Sequence, residues 1–191
     1  SGQQRNLEFF GRHQASRLAI IRKEVRSGDP TNGEAQAARV YWDALFGGEE
    51  FSRVPGGDDR LNALLNYGYT VLRGFVIQAI CIAGLWPTYG LWHRNRSNTF
   101  VLADDLIEPF RPAVDFCVIS MAPDLTLDDR EAKRELVSVS SKQMGPSGSS
   151  ILTVIREFAS QLAMYVEGDR DALKPPVWLP HVDEVVEAED G

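Results

Sequence analysis

Residues 91–112, LWHRNRSNTFVLADDLIEPFRP, concentrate groups that bind cations and phosphates. His93 is followed by Arg94 and Arg96. Asp104, Asp105 and Glu108 then fall within five residues, and Pro109 and Pro112 flank Arg111. A neutral imidazole and one or two carboxylates, separated by a short excursion, can converge on one divalent cation. Carboxylate oxygens favour Mg2+ or Mn2+, and the imidazole makes Mn2+ the more comfortable. Arg94, Arg96 and Arg111 beside such an ion would hold phosphate oxygens bidentately. A cation flanked by arginines suits phosphoryl transfer, where it polarises the phosphorus centre and stabilises the leaving oxygen.

Each group also has a plain structural role. A carboxylate at a helix start caps it and offsets the dipole. A single histidine is more often a core or loop residue than a ligand. Basic runs such as Arg17–Arg26 and His93–Arg96 are more often solvated faces. A third anionic ligand must come from elsewhere in the chain, with Glu34, Glu24, Asp43 and Asp59 as candidates. The pattern alone does not choose among them, and Glu34 by itself reads as a first-turn acid facing a helix dipole.

The elements that must position these residues read as helices. One is expected from about Leu7 to Arg26, ended by Gly28 and Pro30. A second covers Gly33–Gly48 and a long third runs from about Asp59 to Gly84. In the third, Leu61, Leu64, Leu65, Gly68, Leu72, Phe75, Ala79, Ile80 and Ala83 keep three-and-four spacing. After an interruption at Pro87 and Tyr89, a helix is expected from near Glu108 to Met121, with Glu108 at its cap and Pro109 at its first position. Another spans about Leu127–Lys142. The clearest period is Ile151, Val154, Ile155, Phe158, Ala159, Leu162, Ala163 and Val166, with Gly168 as the stop. Strand alternation and internal repeats are absent, so the expectation is an all-α multi-helix bundle. The domain should cover 3–180, its Pro-rich end left without assigned structure and 181–191 an acidic, disordered tail.

Composition sets the outer bounds. The 191 residues suffice for one packed domain, and 43% apolar with 25% charged is ordinary for a globular protein. The longest apolar run, 74–86, is too short to cross a bilayer, and the polar N-terminus resembles no signal peptide. Cys81 and Cys117 lack zinc spacing and are expected to be buried reduced thiols in a cytoplasmic protein. The net charge of -7 overstates the acidity, because five acids and no Lys or Arg lie in 181–191, leaving -2 elsewhere. Local clusters govern phosphate contact more than the sum does.

Four blocks occur in order: GEAQAARVYWDALFG, NALLNYGYTVLRG, GLWHRNRSNTFVLADDLIEPFRPAVD and VWLP. Together they closely resemble the CRISPR-associated integrase family, Cas1, in the version that accompanies type II systems, over most of Leu7–Pro180. The resemblance implies a metal-dependent DNA integrase and endonuclease that inserts new spacers into a CRISPR array. It implies that Glu34, His93 and Glu108 hold Mg2+ or Mn2+ as the catalytic set, with Asp105 in support. Asn66 and Tyr69 are read as lining or supporting groups and Arg94, Arg96 and Arg111 as DNA contacts.

The implied partners are double-stranded DNA (prespacer and CRISPR repeat), Cas2, a second copy in the full-length protein, and the type II effector nuclease, with no membrane. The family's β-rich N-terminal domain is not matched, so the resemblance is to the helical C-terminal domain alone. Two rivals stand beside the enzyme: a non-catalytic DNA- and partner-binding module of the spacer-acquisition complex, and a helical protein-interaction domain with chance acidic caps.

Overall fold

Asp59 opens the helix on which the rest is assembled. Its backbone is extended, and its carboxylate accepts the Asn62 N–H at 3.1 Å, satisfying one of the donors a helix start leaves unpaired. Those bonds hold the Asp59 carboxyl below its usual range, the Asn62 amide bond first. A computed structural model describes residues 1–24, 33–46, 51–91, 98–145 and 148–180. Among them are eight α-helices: α1 Gly2–Phe9, α2 Gln14–Glu24, α3 Gly33–Leu45, α4 Arg60–Ile82, α5 Val101–Ile107, α6 Arg111–Ser120, α7 Arg130–Ser138 and α8 Ile151–Glu167. A 3-10 turn, Val139–Ser141, extends α7. The described residues contain no strand beyond one isolated bridge between Gln143 and Ser150, so the expected all-α bundle is what forms.

The 23-residue α4 is the hub and packs against α5, α6, α7 and α8. Its stripe Leu61, Leu64, Leu65, Gly68, Leu72, Val76, Ala79 and Ile80 is buried. Gly68 is required by the crossing with α6 and α7. A Cβ there would stand 2.5 Å from Val114 Cγ1 and 3.1 Å from Leu136 Cδ2. α8 follows its predicted period: Ser150 caps it, Gly168 at φ 86 closes it, and Ile151, Ile155, Phe158, Ala159 and Leu162 are buried. Val166, expected on that stripe, is exposed, because the helix end has run past its neighbours.

Three further expectations are corrected. The single helix from Leu7 to Arg26 is two, α1 and α2, separated at Gly11, whose φ of 64 no regular right-handed helix contains. Glu108 does not start a helix; it is the C-cap of the short α5, and α6 begins at Arg111 with Pro112 in its first turn. Pro109 lacks the N–H that would prolong α5, so it ends one helix rather than opening the next. Cys81 is exposed, while Cys117 is buried as expected; burial pushes the Cys117 thiol up to about 12. The Pro-rich end forms no helix or strand up to Pro180, yet it is packed. Trp178 is 1% exposed and its indole N–H donates to Asn6 Oδ1 at 2.9 Å. The acidic tail assigned to 181–191 lies outside the described residues.

Candidate functional site

α5 places Asp104, Asp105 and Glu108 within little more than one turn, and each meets a different partner. Asp105 is buried, and its Oδ2 accepts the backbone N–H of Leu91 at 2.7 Å. Asp104 forms a two-pronged pair with Arg73, Nε to Oδ1 at 2.6 Å and an Nη to Oδ2 at 3.1 Å, and also accepts from the Asn98 amide. Glu108, its side chain 54% exposed, faces Arg111 Nε at 3.3 Å. That contact is an ion pair by distance without hydrogen-bond alignment, so Arg111 Nε is a buried donor with no hydrogen-bond partner among the described residues.

His93, Arg94 and Arg96 lie outside the described residues, in 92–97. The residues on either side of that segment are both tied to α5: Leu91 through Asp105, and Asn98 through Asp104. Glu34 stands in the first turn of α3; its side chain lies outside the description. Among the described residues no group of three His, Cys, Asp or Glu side chains gathers around one point. Of the expected ligand set, Glu108 alone therefore has a described side chain, and Asp105 sits one turn before it.

Beside Glu108 is a cavity of about 330 Å³ lined by Arg53, Asn66, Tyr69, Thr70, Arg73, Asp104 and Arg111, among others. Asn66 and Tyr69, expected as lining groups, are there, and so is Arg111. Arg53 and Arg73 were not anticipated. Arg73 is signalled by helical spacing: with Asn66, Tyr69 and Thr70 it makes a polar stripe along α4. Arg53 carries no local signal. It comes from the loop before α4, where its guanidinium donates to Asn62 Oδ1, Asn66 Oδ1 and Val54 O, each at 2.7 Å. Buried Asn62 organises that loop by also accepting from Val54 N–H and donating to Ser52 O and Asp59 Oδ2.

Tyr69 forms one wall, with the Arg53 and Arg111 guanidiniums 5.5 and 5.0 Å from its ring centroid. Its hydroxyl donates to Asp115 Oδ1, and Tyr41 donates to Asp115 Oδ2 at 2.7 Å. Asn6 Nδ2 in turn donates to the Tyr41 oxygen at 3.1 Å and to Pro112 O at 2.7 Å. Burial raises the Asp115 carboxyl to about 6, against the two tyrosine hydrogen bonds and the arginine charges, which pull it down. Tyr41 and Tyr69 are pushed well above their ordinary value by burial and by Asp115, so both remain donors.

The bundle has the fold of a casposase bound to integration product. The likeness covers 95% of this chain and 65% of that one at TM-score 0.72 and 23% identity. Residues 31–146 match the family described as CRISPR associated protein Cas1, and the chain belongs to that family. Among its relatives is the CRISPR-associated endonuclease Cas1 of Neisseria meningitidis serogroup C (strain 8013). It is 50% identical over 107 residues, which are 56% of this chain and 34% of the relative. A second, the CRISPR-associated endonuclease Cas1 2 of Pyrobaculum aerophilum, is 29% identical over 170 residues, 83% of this chain and 57% of the relative. The chain thus spans between a third and just over half of these two relatives. No described helix is long and apolar enough to cross a membrane.

Proposed function

We propose that this chain is the DNA-joining, metal-dependent part of a CRISPR spacer integrase. The observation that carries the reading is the adjacency, on α5 and the start of α6, of an exposed carboxylate and an arginine-lined cavity. The donor chemistry fits a hard divalent cation. Glu108 is open to solvent, and Asp105 ties down the chain two residues before the imidazole of His93. Glu34, His93 and Glu108 would hold Mg2+ or Mn2+. When bound, the ion lowers the cost of ionising a hydroxyl and of charging a leaving oxygen.

The reaction is transesterification. A prespacer 3′-oxygen forms a bond to phosphorus at the repeat boundary as the bond to the repeat strand's 3′-oxygen breaks, and that oxygen takes up a proton. One phosphodiester replaces another, so no nucleotide triphosphate is consumed. Arg53 and Arg111, with Arg94 and Arg96, neutralise the phosphates on either side, while the Arg73 charge is matched by Asp104. Cas2, a second copy of the full-length protein and the type II effector nuclease complete the proposed assembly.

The test is a strand-transfer assay with a labelled 3′-hydroxyl duplex and a supercoiled repeat plasmid, using the full-length protein with Mg2+ or Mn2+. Joined product that disappears in Glu34→Ala, His93→Ala and Glu108→Ala, at unchanged helicity, supports the reading. Joining by all three variants at the wild-type rate overturns it. DNA binding without joining in the wild type favours the non-catalytic module.

A further inference from the structure

Two guanidiniums, Arg53 and Arg111, line one cavity and share one aromatic ring. Like charges held this close need both a platform and a counter-charge. Arg111 has Glu108 beside it, whereas the described hydrogen bonds of Arg53 go only to neutral acceptors: Val54 O, Asn62 and Asn66. The ring between them is anchored on its far side, where the Tyr69 hydroxyl is held by the fully buried carboxylate of Asp115. A second tyrosine, Tyr41, holds the other carboxylate oxygen and fixes its orientation. Asp115 reaches the cavity in two ways: through the Tyr69 hydroxyl that it holds, and by the attraction between its charge and the Arg53 and Arg111 guanidiniums.

We propose that Asp115 is a positioning residue for phosphodiester binding. By gripping the Tyr69 hydroxyl it sets the ring against which Arg53 and Arg111 are arranged, and it supplies the buried negative charge behind that pair. The inference rests on the reading of the cavity as a phosphate site. An aspartate that only filled the core would not alter how the arginines meet a ligand. One acting through Tyr69 would, even in a variant that keeps the ring and the packing. Tyr69→Phe is that variant, because it deletes only the hydroxyl.

The experiment measures binding of a fluorescein-labelled single-stranded oligothymidylate by anisotropy over a series of salt concentrations. It compares wild type, Arg53→Ala, Arg111→Ala, Tyr69→Phe, Asp115→Asn and the double variant Tyr69→Phe/Arg111→Ala, with helicity followed by circular dichroism. Arg111→Ala and Arg53→Ala should each weaken binding and flatten the salt dependence by about 0.7 in slope, one released counterion each. Tyr69→Phe should weaken binding about fivefold at unchanged helicity. The double variant should lose less than the sum of the two single losses, because one of the two arginines that the ring arranges is already gone. In NMR spectra the Nε resonances of Arg53 and Arg111, displaced by the Tyr69 ring current, should move toward ordinary values in Tyr69→Phe and Asp115→Asn. Should Asp115→Asn fail to fold, Tyr69→Phe carries the comparison alone.

Tyr69→Phe binding as wild type does, while the arginine variants weaken, overturns the positioning role and leaves the phosphate site standing. Additive losses in the double variant also overturn it. Arginine variants that bind like wild type remove the phosphate site and the inference together.

Discussion

Asp105 and Leu91 are joined by a carboxylate-to-backbone hydrogen bond of 2.7 Å, fourteen residues apart in sequence. It fixes where the chain stands as it passes toward His93, so a buried acid here does its work by placing main chain. Asp105→Ala should therefore speed hydrogen exchange of the Leu91 amide by about tenfold or more, the equivalent of one hydrogen bond to a charged group. Exchange measured by NMR on the isolated chain checks this without reference to activity. Under the proposed function, the same substitution in the full-length protein should lower strand transfer.

Gly68→Ala should destabilise by about 1–3 kcal/mol, because the added methyl would sit 2.5 Å from Val114 Cγ1 and force α4 and α6 apart. Urea unfolding gives the value. Gly74, on the same helix, has nothing within 4 Å of a built Cβ. Gly74→Ala should accordingly be neutral or stabilising.

The Asp115 carboxyl, raised to about 6 in the folded state from 3.8, makes stability pH-dependent with an unusual sign. Between those values the folded protein holds a proton that the unfolded chain has released. Stability from this group is therefore full below 3.8 and is lost as pH rises through about 6. The difference amounts to about 3 kcal/mol. Denaturant titrations of wild type and Asp115→Asn at pH 4 and pH 7 should show the wild type losing most of that difference more on the way up.

Trp178→Ala should cost about 3–5 kcal/mol, since it empties a fully buried site against Phe116 and leaves the Asn6 carbonyl oxygen without the indole donor. A fall in thermal midpoint of the chain tests it. Trp86 is 73% exposed, and Trp86→Ala should move the midpoint little.

What the sequence made readable follows from length. α4 and α8 run for 23 and 17 residues, enough for the 3.6 period to declare a buried face. α5 has seven residues, too few for a period, so its acids looked like a cap on the helix that follows. The break at Gly11 depends on one backbone angle, which residue types around it do not reveal. Trp178 stood out within VWLP, but its burial was not legible, because it depends on a partner 172 positions away rather than on its Pro-rich surroundings. Of the residues lining the cavity, Asn66, Tyr69 and Arg111 were picked out from motif and type. Arg53 was not, because only the Asn62 and Asn66 amides decide where its loop delivers it. The buried Asp115 and Tyr41 were also missed: one acid and one tyrosine on different helices signal nothing until the helices cross.

The Asn6–Trp178 bond sets an order on biosynthesis. A ribosome must have polymerised nearly all of this domain before α1 can acquire the indole donor its amide oxygen uses. Nascent polypeptides arrested before residue 178 should leave that first helix open to protease, and those arrested far enough beyond it for Trp178 to clear the exit tunnel should not. The last of the ties on Asn6 thus forms only when Trp178 arrives.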